Sequence, residues 1–381
     1  MRVAIVHHWF VSQGGGERVA EVLAQMFPSA DIFALVADPA KVPPSLRNRR
    51  LQTTFINRLP FAGRIYRHLL PLYPRAVERL DLRGYDLVIS SDSGPMKGVL
   101  VSPSAVHICY CHSPMRYLWD QNHHYRRSMA PVARAAFDLT AGYVRSWDQR
   151  AAQRVTRFVA NSRYVASRIR EYYQRDSVVI PPPVDTAAGY ISSPPGSAYL
   201  TVGRLVAYKR IDLLIRACNV LGRELRIIGT GPEESRLRAH AGSTIKFLGN
   251  VDETSLWREY ANCRAFLFSA EEDFGMSMVE AQSCGRPVIA FGKGGALEAV
   301  VSGNRTVPSS HETCVLFDRQ TPEGVVKAIL CFEAAEHRFQ PQVIRRHAQR
   351  FSVDAFRSGF RRLVDSTISS DERIHELEAC S

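Results

Sequence analysis

Residues 271–288 read EEDFGMSMVEAQSCGRPV and place two carboxylates, Glu272 and Glu280, eight positions apart around a Phe-Gly turn. Paired acids of this kind can hydrolyse a glycosidic bond, one carboxyl protonated and the other ionised. The glycines point to a second chemistry. Gly275 frees the backbone just before the helical pattern MSMVEAQSC, and Gly285 stops that pattern. A helix opening after a strand aims unpaired N–H groups and a positive dipole end at one point, which suits an anion. Glu272 is then expected just before the helix and Glu280 about one turn inside it, sitting deeper. Taken alone, the two acids fit better as a loop acid near the helix start and an acid on a solvated helix face.

Other segments decide between these readings. VGRLVAYKRID, residues 202–212, puts Gly203 and Arg204 at the end of an expected strand and Lys209 in the following loop or first helical turn. Two cations there can neutralise a diphosphate leaving group. They would also hold both glutamates ionised, which argues against a hydrolase. IIGTGPEE, 227–234, is a second strand-to-helix glycine turn without the third glycine of a dinucleotide fingerprint. QGGGERVAEVL, 13–23, is a third such turn, with Gly14 and Gly15 able to approach phosphate and a helix expected to open at Glu17. CHSPMRYLWD, 111–120, sets His112 at a strand end, where an imidazole can hydrogen-bond a sugar hydroxyl. No two aspartates are separated by one residue, so the Asp-x-Asp clamp for a metal is absent and metal-independent catalysis is expected.

These residues need elements to position them. Apolar runs at 3–6, 31–36, 86–92, 106–111, 157–162 and 177–184 alternate with amphipathic segments, the signature of parallel strands and crossover helices. Residues 180–198, IPPPVDTAAGYISSPPGSA, exclude regular structure through five prolines. The alternation then restarts, with strands expected at 198–205, 224–229, 244–249, 265–270 and 287–291. An α/β chain of two Rossmann-like domains with a cleft follows. Its expected parts are a first domain over 1–182, a linker over 183–198, a second domain over 199–350, a helix over 351–366 that crosses back to the first domain, and a mobile tail over 367–381.

At 381 residues, with 45% hydrophobic content, each domain can bury its own core. The eight cysteines are scattered in apolar surroundings and read as reduced; Cys109 and Cys111 have no second pair at zinc spacing and read as core. The start lacks a secretory core and no run is long enough to span a membrane, so a cytoplasmic location, peripheral on the inner face of the cell membrane, is expected. Net charge is +12, and between Arg47 and Arg79 eight arginines face one acid, Glu78, interleaved with Phe55, Phe61, Tyr66, Leu69, Leu70, Leu72 and Tyr73. Such a surface suits an anionic membrane or phosphorylated substrates. A nucleic-acid binder shares the charge but leaves the glycine turns unexplained.

Taken together, VGRLVAYKRIDLLIRA, IIGTGPEE, FLGNV and EDFGMSMVEAQSCGRPVIA, in this order and spacing, resemble the retaining GT-B glycosyltransferases of family 4. CHSPMRYLWD and the GGGER loop are most similar to bacterial mannosyltransferases of O-antigen and exopolysaccharide assembly. The resemblance implies that Arg204 and Lys209 hold the donor diphosphate and that Glu280 hydrogen-bonds the ribose. It further implies that Glu272 contacts the transferred sugar near Phe274, Gly275 and Met276, that Gly14 and Gly15 close over the diphosphate, and that His112 meets the sugar's 6-hydroxyl region. Val251 would line the base pocket, with Gly203 beside the diphosphate. Where the family usually has Glu before its lysine, this chain has Tyr208, which leaves the support of Lys209 open. The implied reaction is hexosyl transfer from a nucleotide sugar, GDP-mannose first and UDP-sugars next, to a lipid-diphosphate-linked saccharide, with no cofactor and no metal. A nucleotide-sugar epimerase of the same fold is the alternative enzyme.

Overall fold

Alternating apolar runs do become parallel strands, in two sheets that belong to separate units. The computed structural model describes residues 1–12, 14–120, 122, 126, 129, 131–302 and 312–379. The first unit comprises Met1–Pro183 together with Phe356–Ser381, and the second Val184–Ala355.

In the first unit, β1 (Val3–Phe10), β2 (Asp31–Ala37), β3 (Leu51–Thr53), β4 (Leu87–Asp92), β5 (Val106–Cys111), β6 (Arg157–Ala160) and β7 (Ser177–Val179) form one parallel sheet in the order β3-β2-β1-β4-β5-β6-β7. Strand order reverses between β1 and β4, and at such a switch the loops leaving the two strands diverge and open a crevice. β4 and β5 are buried along their whole length, which is why they read as continuous runs. Leu35, Tyr66, Tyr73, Val88 and Trp147 share one core cluster, while Cys109, Phe158, Ile169 and Tyr173 share another. A buried ion network secures the loop after β4: Lys97 Nζ lies 2.5 Å from Asp148 and 3.6 Å from Asp92, and Asp92 also accepts from the amides of Gly94, Met96 and Lys97.

The basic stretch 47–79 folds into short turns against this sheet. Seven of its eight arginines are exposed and Arg49 is half-buried. Tyr66, Leu70 and Tyr73, expected on a surface, are core residues instead, because the turns need apolar anchors; Phe61, at 74% exposure, and Leu72 remain outside.

In the second unit, β8 (Tyr199–Val202), β9 (Leu225–Ile228), β10 (Ile245–Gly249), β11 (Phe266–Phe268), β12 (Val288–Phe291) and β13 (Cys314–Phe317) form a parallel sheet in the order β10-β9-β8-β11-β12-β13. Its switch lies between β8 and β11. Residues 180–198 carry no helix or strand, yet Val184 already belongs to the second unit through a bridge to Ser352. The final helix runs Val353–Ala379, through the stretch expected as a mobile tail; that stretch holds neither glycine nor proline to end it. From Phe356 on it belongs to the first unit.

Cys109, Cys111, Cys218, Cys263, Cys284 and Cys314 are free and buried, as small apolar residues are, and Cys331 is free and exposed. Cys380 lies outside the described residues.

Candidate functional site

Three of the sequence-derived residues meet at the β8/β11 switch of the second unit. After β8 the chain passes Gly203 and the exposed Arg204, then makes a single 3-10 turn, Ala207–Lys209, before the helix Ile211–Leu221. After β11 it passes Glu272, and Gly275 caps the helix Met276–Ser283. Lys209 Nζ pairs with the Glu272 carboxylate, each side chain 16% exposed. The same ammonium lies 5.6 Å from the centre of the Phe268 ring. Glu272 therefore supplies the local support that the Tyr208 substitution left open. It also engages with a cation a carboxylate expected to face a sugar.

Backbone contacts fix both loops. Ser269 Oγ donates to the carbonyls of Lys209 and Arg210, at 2.8 and 2.9 Å, tying the end of β11 to the lysine turn. The amide of Gly295 donates to the Glu272 carbonyl at 2.7 Å, so the loop after β12 holds the acidic loop from the other side. Gly275 sits at φ +91°, and a Cβ there would lie 2.4 Å from Met278 Cε and 3.2 Å from Phe268 Cζ. Only glycine combines that dihedral with that approach. It lets the first amides of the helix, which have no intrahelical acceptor, stand beside Lys209's partner loop.

Glu280 lies one turn inside the helix and accepts a hydrogen bond from the buried Tyr260 hydroxyl at 2.6 Å. Burial, and then the Glu280 carboxylate, pushes the Tyr260 phenol well above its ordinary value, so it stays a donor. Glu280 is thus oriented, not merely solvated. The glycines of the IIGTG turn answer to packing. Gly229, at φ +122°, lies where a Cβ would be 2.1 Å from the Gly203 carbonyl, and its amide donates to Gly249 at 2.7 Å. This turn locks the ends of β8, β9 and β10 together beneath the lysine turn, with the half-buried Val251 just beyond β10.

The first unit gathers a second group at its own β1/β4 switch. Gly14 caps the helix Gly15–Met26, which begins two residues before the expected start at Glu17 because Gly15 and Gly16 take helical geometry. Gly16 packs on the imidazoles of β1, with room of only 3.2 Å between an added Cβ and His8 Cε1. His112 follows β5, and its Nε2 lies 2.8 Å from Ser91 Oγ. Ser91 in turn faces His7, whose Nδ1 is 3.0 Å from the Ser91 carbonyl, and His8, whose Nδ1 is 3.2 Å from it. Burial lowers all three histidines, His112 to about 3 and His7 well below its ordinary value, the latter also through its two imidazole neighbours.

Sequence reasoning missed His7, His8, Ser91 and Glu17. The first three share one physical signal, polar residues in strands otherwise apolar. Glu17 is buried beside Gly14 and accepts from Ser12 Oγ at 3.1 Å; burial pushes its carboxyl up to about 7.

Comparison with known proteins bears on both units. Residues 13–188 match the family described as Glycosyltransferase Family 4, and residues 196–333 the family described as Glycosyl transferases group 1. The D-inositol 3-phosphate glycosyltransferase 2 of Catenulispora acidiphila is 27% identical over 265 residues, 59% of this chain and 59% of that protein. A D-inositol 3-phosphate glycosyltransferase of Kineococcus radiotolerans is 28% identical over 219 residues, 48% of this chain and 50% of that one. The matched stretch thus spans about half to three-fifths of these curated relatives. Among solved structures, Anabaena HepE in complex with UDP and glucose superposes with a TM-score of 0.70 at 17% identity, covering 96% of this chain and all of that one. Sucrose-phosphate synthase from Thermosynechococcus elongatus gives 0.69 at 16%, covering 97% and 100%. At these identities the likeness is one of fold.

Proposed function

We propose, for a chain whose residues 13–188 match Glycosyltransferase Family 4 and whose residues 196–333 match the Glycosyl transferases group 1 family, and which has the GT-B fold, transfer of a hexosyl unit from a nucleotide sugar with retention of the anomeric configuration. The observation that carries this reading is the meeting of Lys209, Glu272 and the Gly275-opened helix start at the β8/β11 switch. Lys209 and Arg204 would take the donor diphosphate, whose growing charge a fixed cation stabilises as the sugar departs. The amides near Phe274, Gly275 and Met276 would meet the sugar hydroxyls, with Glu272 holding Lys209 and reaching the same group. Glu280, oriented by Tyr260, would bind the ribose, and Gly203 and Val251 would border the diphosphate and base. From the first unit, Gly14 and Gly15 would serve the diphosphate and His112 the transferred sugar.

With Glu272 paired to Lys209 and Glu280 accepting from the Tyr260 hydroxyl, each carboxylate is engaged by a donor of the protein, so neither is assigned the task of protonating a leaving oxygen. The proton of the attacking hydroxyl passes instead to the departing phosphate. No metal ligand is required by this scheme.

GDP-mannose is the first donor to test, on the resemblance of CHSPMRYLWD and GGGER to bacterial polysaccharide mannosyltransferases. UDP-glucose is the second, because HepE was solved with UDP-glucose. For the acceptor we propose a lipid-diphosphate-linked saccharide met at the inner face of the cell membrane, with the exposed arginines of 47–79 against anionic headgroups. Among the described residues no helix is long and apolar enough to cross a membrane. D-inositol 3-phosphate, named for the curated relatives, is the competing acceptor.

A thermal-shift panel of GDP, UDP, ADP and their sugars tests the donor. Ligand at 100 times its Kd stabilises by about 2.7 kcal/mol, so one nucleotide series raises Tm by several degrees. No shift with any of them would remove the assignment.

A further inference from the structure

The hydrogen-bond pattern around Ser91 fixes where the protons of three imidazoles lie. A backbone carbonyl only accepts, so the Nδ1 atoms of His7 and His8, at 3.0 and 3.2 Å from the Ser91 carbonyl, both carry hydrogen. His7 Nδ1 also lies 3.2 Å from Ser91 Oγ, so that contact is a donation into the hydroxyl oxygen. The hydroxyl's own hydrogen then has one acceptor among these partners, His112 Nε2 at 2.8 Å. The remaining proton of a neutral His112 must sit on Nδ1. His7 Nε2 agrees with this order: it is buried without a partner among the described residues, which a bare acceptor tolerates better than an N–H does.

We propose that Ser91 and His7 are positioning residues that lock His112 as a neutral imidazole presenting its Nδ1–H, so that it donates a hydrogen bond to a hydroxyl of the transferred sugar. The role of His112 toward the sugar rests on the glycosyl-transfer reading above; the lock itself rests on the hydrogen bonds alone. Burial holds His112 down to about 3, so the donor is an uncharged N–H across the working pH range. An uncharged donor positions a sugar hydroxyl without adding a second cation beside an oxocarbenium-like centre, where positive charge would raise the barrier.

The same three rings can also be read as a metal site, since their ligand atoms lie within 4.8 Å of one another. Two observations oppose it. Gly16 packs against the His8 ring at the amino end of the helix Gly15–Met26, whose dipole disfavours a cation there. The His112 lone pair that a metal would take is already given to Ser91.

The test uses full-length protein labelled with 15N-histidine. Long-range 1H–15N correlation spectra at pH 5.5 to 8 are expected to show His112 with hydrogen on Nδ1 and no titration. Ser91→Ala should mix its tautomers, and Ser91→Thr, which keeps the hydroxyl, should restore one. In transfer assays Ser91→Ala should lower kcat/KM about tenfold with Tm little changed, and His112→Asn, whose amide stands at the Nδ1 position, should retain more activity than His112→Gln. Hydrogen found on His112 Nε2, a tautomer indifferent to Ser91→Ala, or zinc binding that shifts all three rings would each overturn the lock. The predicted tautomer with no turnover of any nucleotide sugar would leave the lock standing and refute the functional reading instead.

Discussion

Replacing Lys209 by alanine removes one ammonium from a site that is otherwise left in place. The lysine turn is held by Ser269 Oγ through two backbone carbonyls, so its path does not depend on the side chain that is lost. What disappears is a charge-assisted contact to the departing diphosphate, with a magnitude of about 1.5 to 3 kcal/mol. At about 1.36 kcal/mol per tenfold in rate, kcat/KM should fall roughly 10- to 150-fold. Part of that loss comes from Glu272, which is left without its cation while only 16% exposed. The Lys209→Ala/Glu272→Gln double variant separates the two contributions: if the pair acts as a unit, it should cost little more than Lys209→Ala alone. Lys209→Arg should not fully rescue, because the ammonium acts as a point charge between the Glu272 carboxylate and the Phe268 ring, and a planar guanidinium on a longer side chain meets both with a different geometry. Steady-state kinetics with the donor identified by thermal shift provides the measurement. Turnover within twofold of the parent in Lys209→Ala would refute the leaving-group role, and strict additivity in the double variant would refute the pairing.

Two further outcomes follow from individual positions. Gly275→Ala must place an L-residue at φ +91° and push Met278 and Phe268 aside, at about 1 to 2 kcal/mol for the dihedral alone; calorimetry should show a Tm lower by several degrees, and an unchanged Tm would mean the loop is free to rearrange. Glu17 has a folded-state value of about 7, above the unfolded carboxyl near 4.3, so the unfolded chain releases its proton first and stability falls as pH rises from about 4.5 to about 7. Glu17→Gln lacks that term, so its stability relative to the parent should grow by on the order of 2 kcal/mol between pH 5 and pH 8 in urea titrations; a difference constant with pH would place the carboxyl in water.

The loops at the β8/β11 switch were legible because their parts are local. Gly203, Arg204 and Lys209 follow one strand within eight residues, and Glu272, Gly275 and Glu280 follow another, so strand ends and a glycine were enough to place them. The partnership of Lys209 with Glu272 was not legible, since it depends on β8 and β11 being neighbours across a strand-order reversal. Strand β3 escaped notice because Leu51 is its one apolar residue; β13 was missed although its run Cys-Val-Leu-Phe is as apolar as those of β8 and β12. Lys97 gave no sign of burial: its partner Asp148 lies fifty-one positions away in the helix Pro131–Gln153. The histidine group shows the same limit, with His7 on β1, Ser91 on β4 and His112 just past the end of β5 drawn together by strand register.

The closing helix of the chain has a consequence for how the molecule is made. Phe356 and Phe360 are buried in the first unit, Phe356 5.6 Å from the ring of Tyr110 on β5, and Arg357 bonds Gln25. The second unit is therefore an uninterrupted stretch set inside the first. During synthesis from the amino end, Val184–Ala355 is complete and free to fold while the first sheet still lacks the aromatic pair that covers it. The packing of the first unit is therefore completed last, by residues that emerge after the whole of the second.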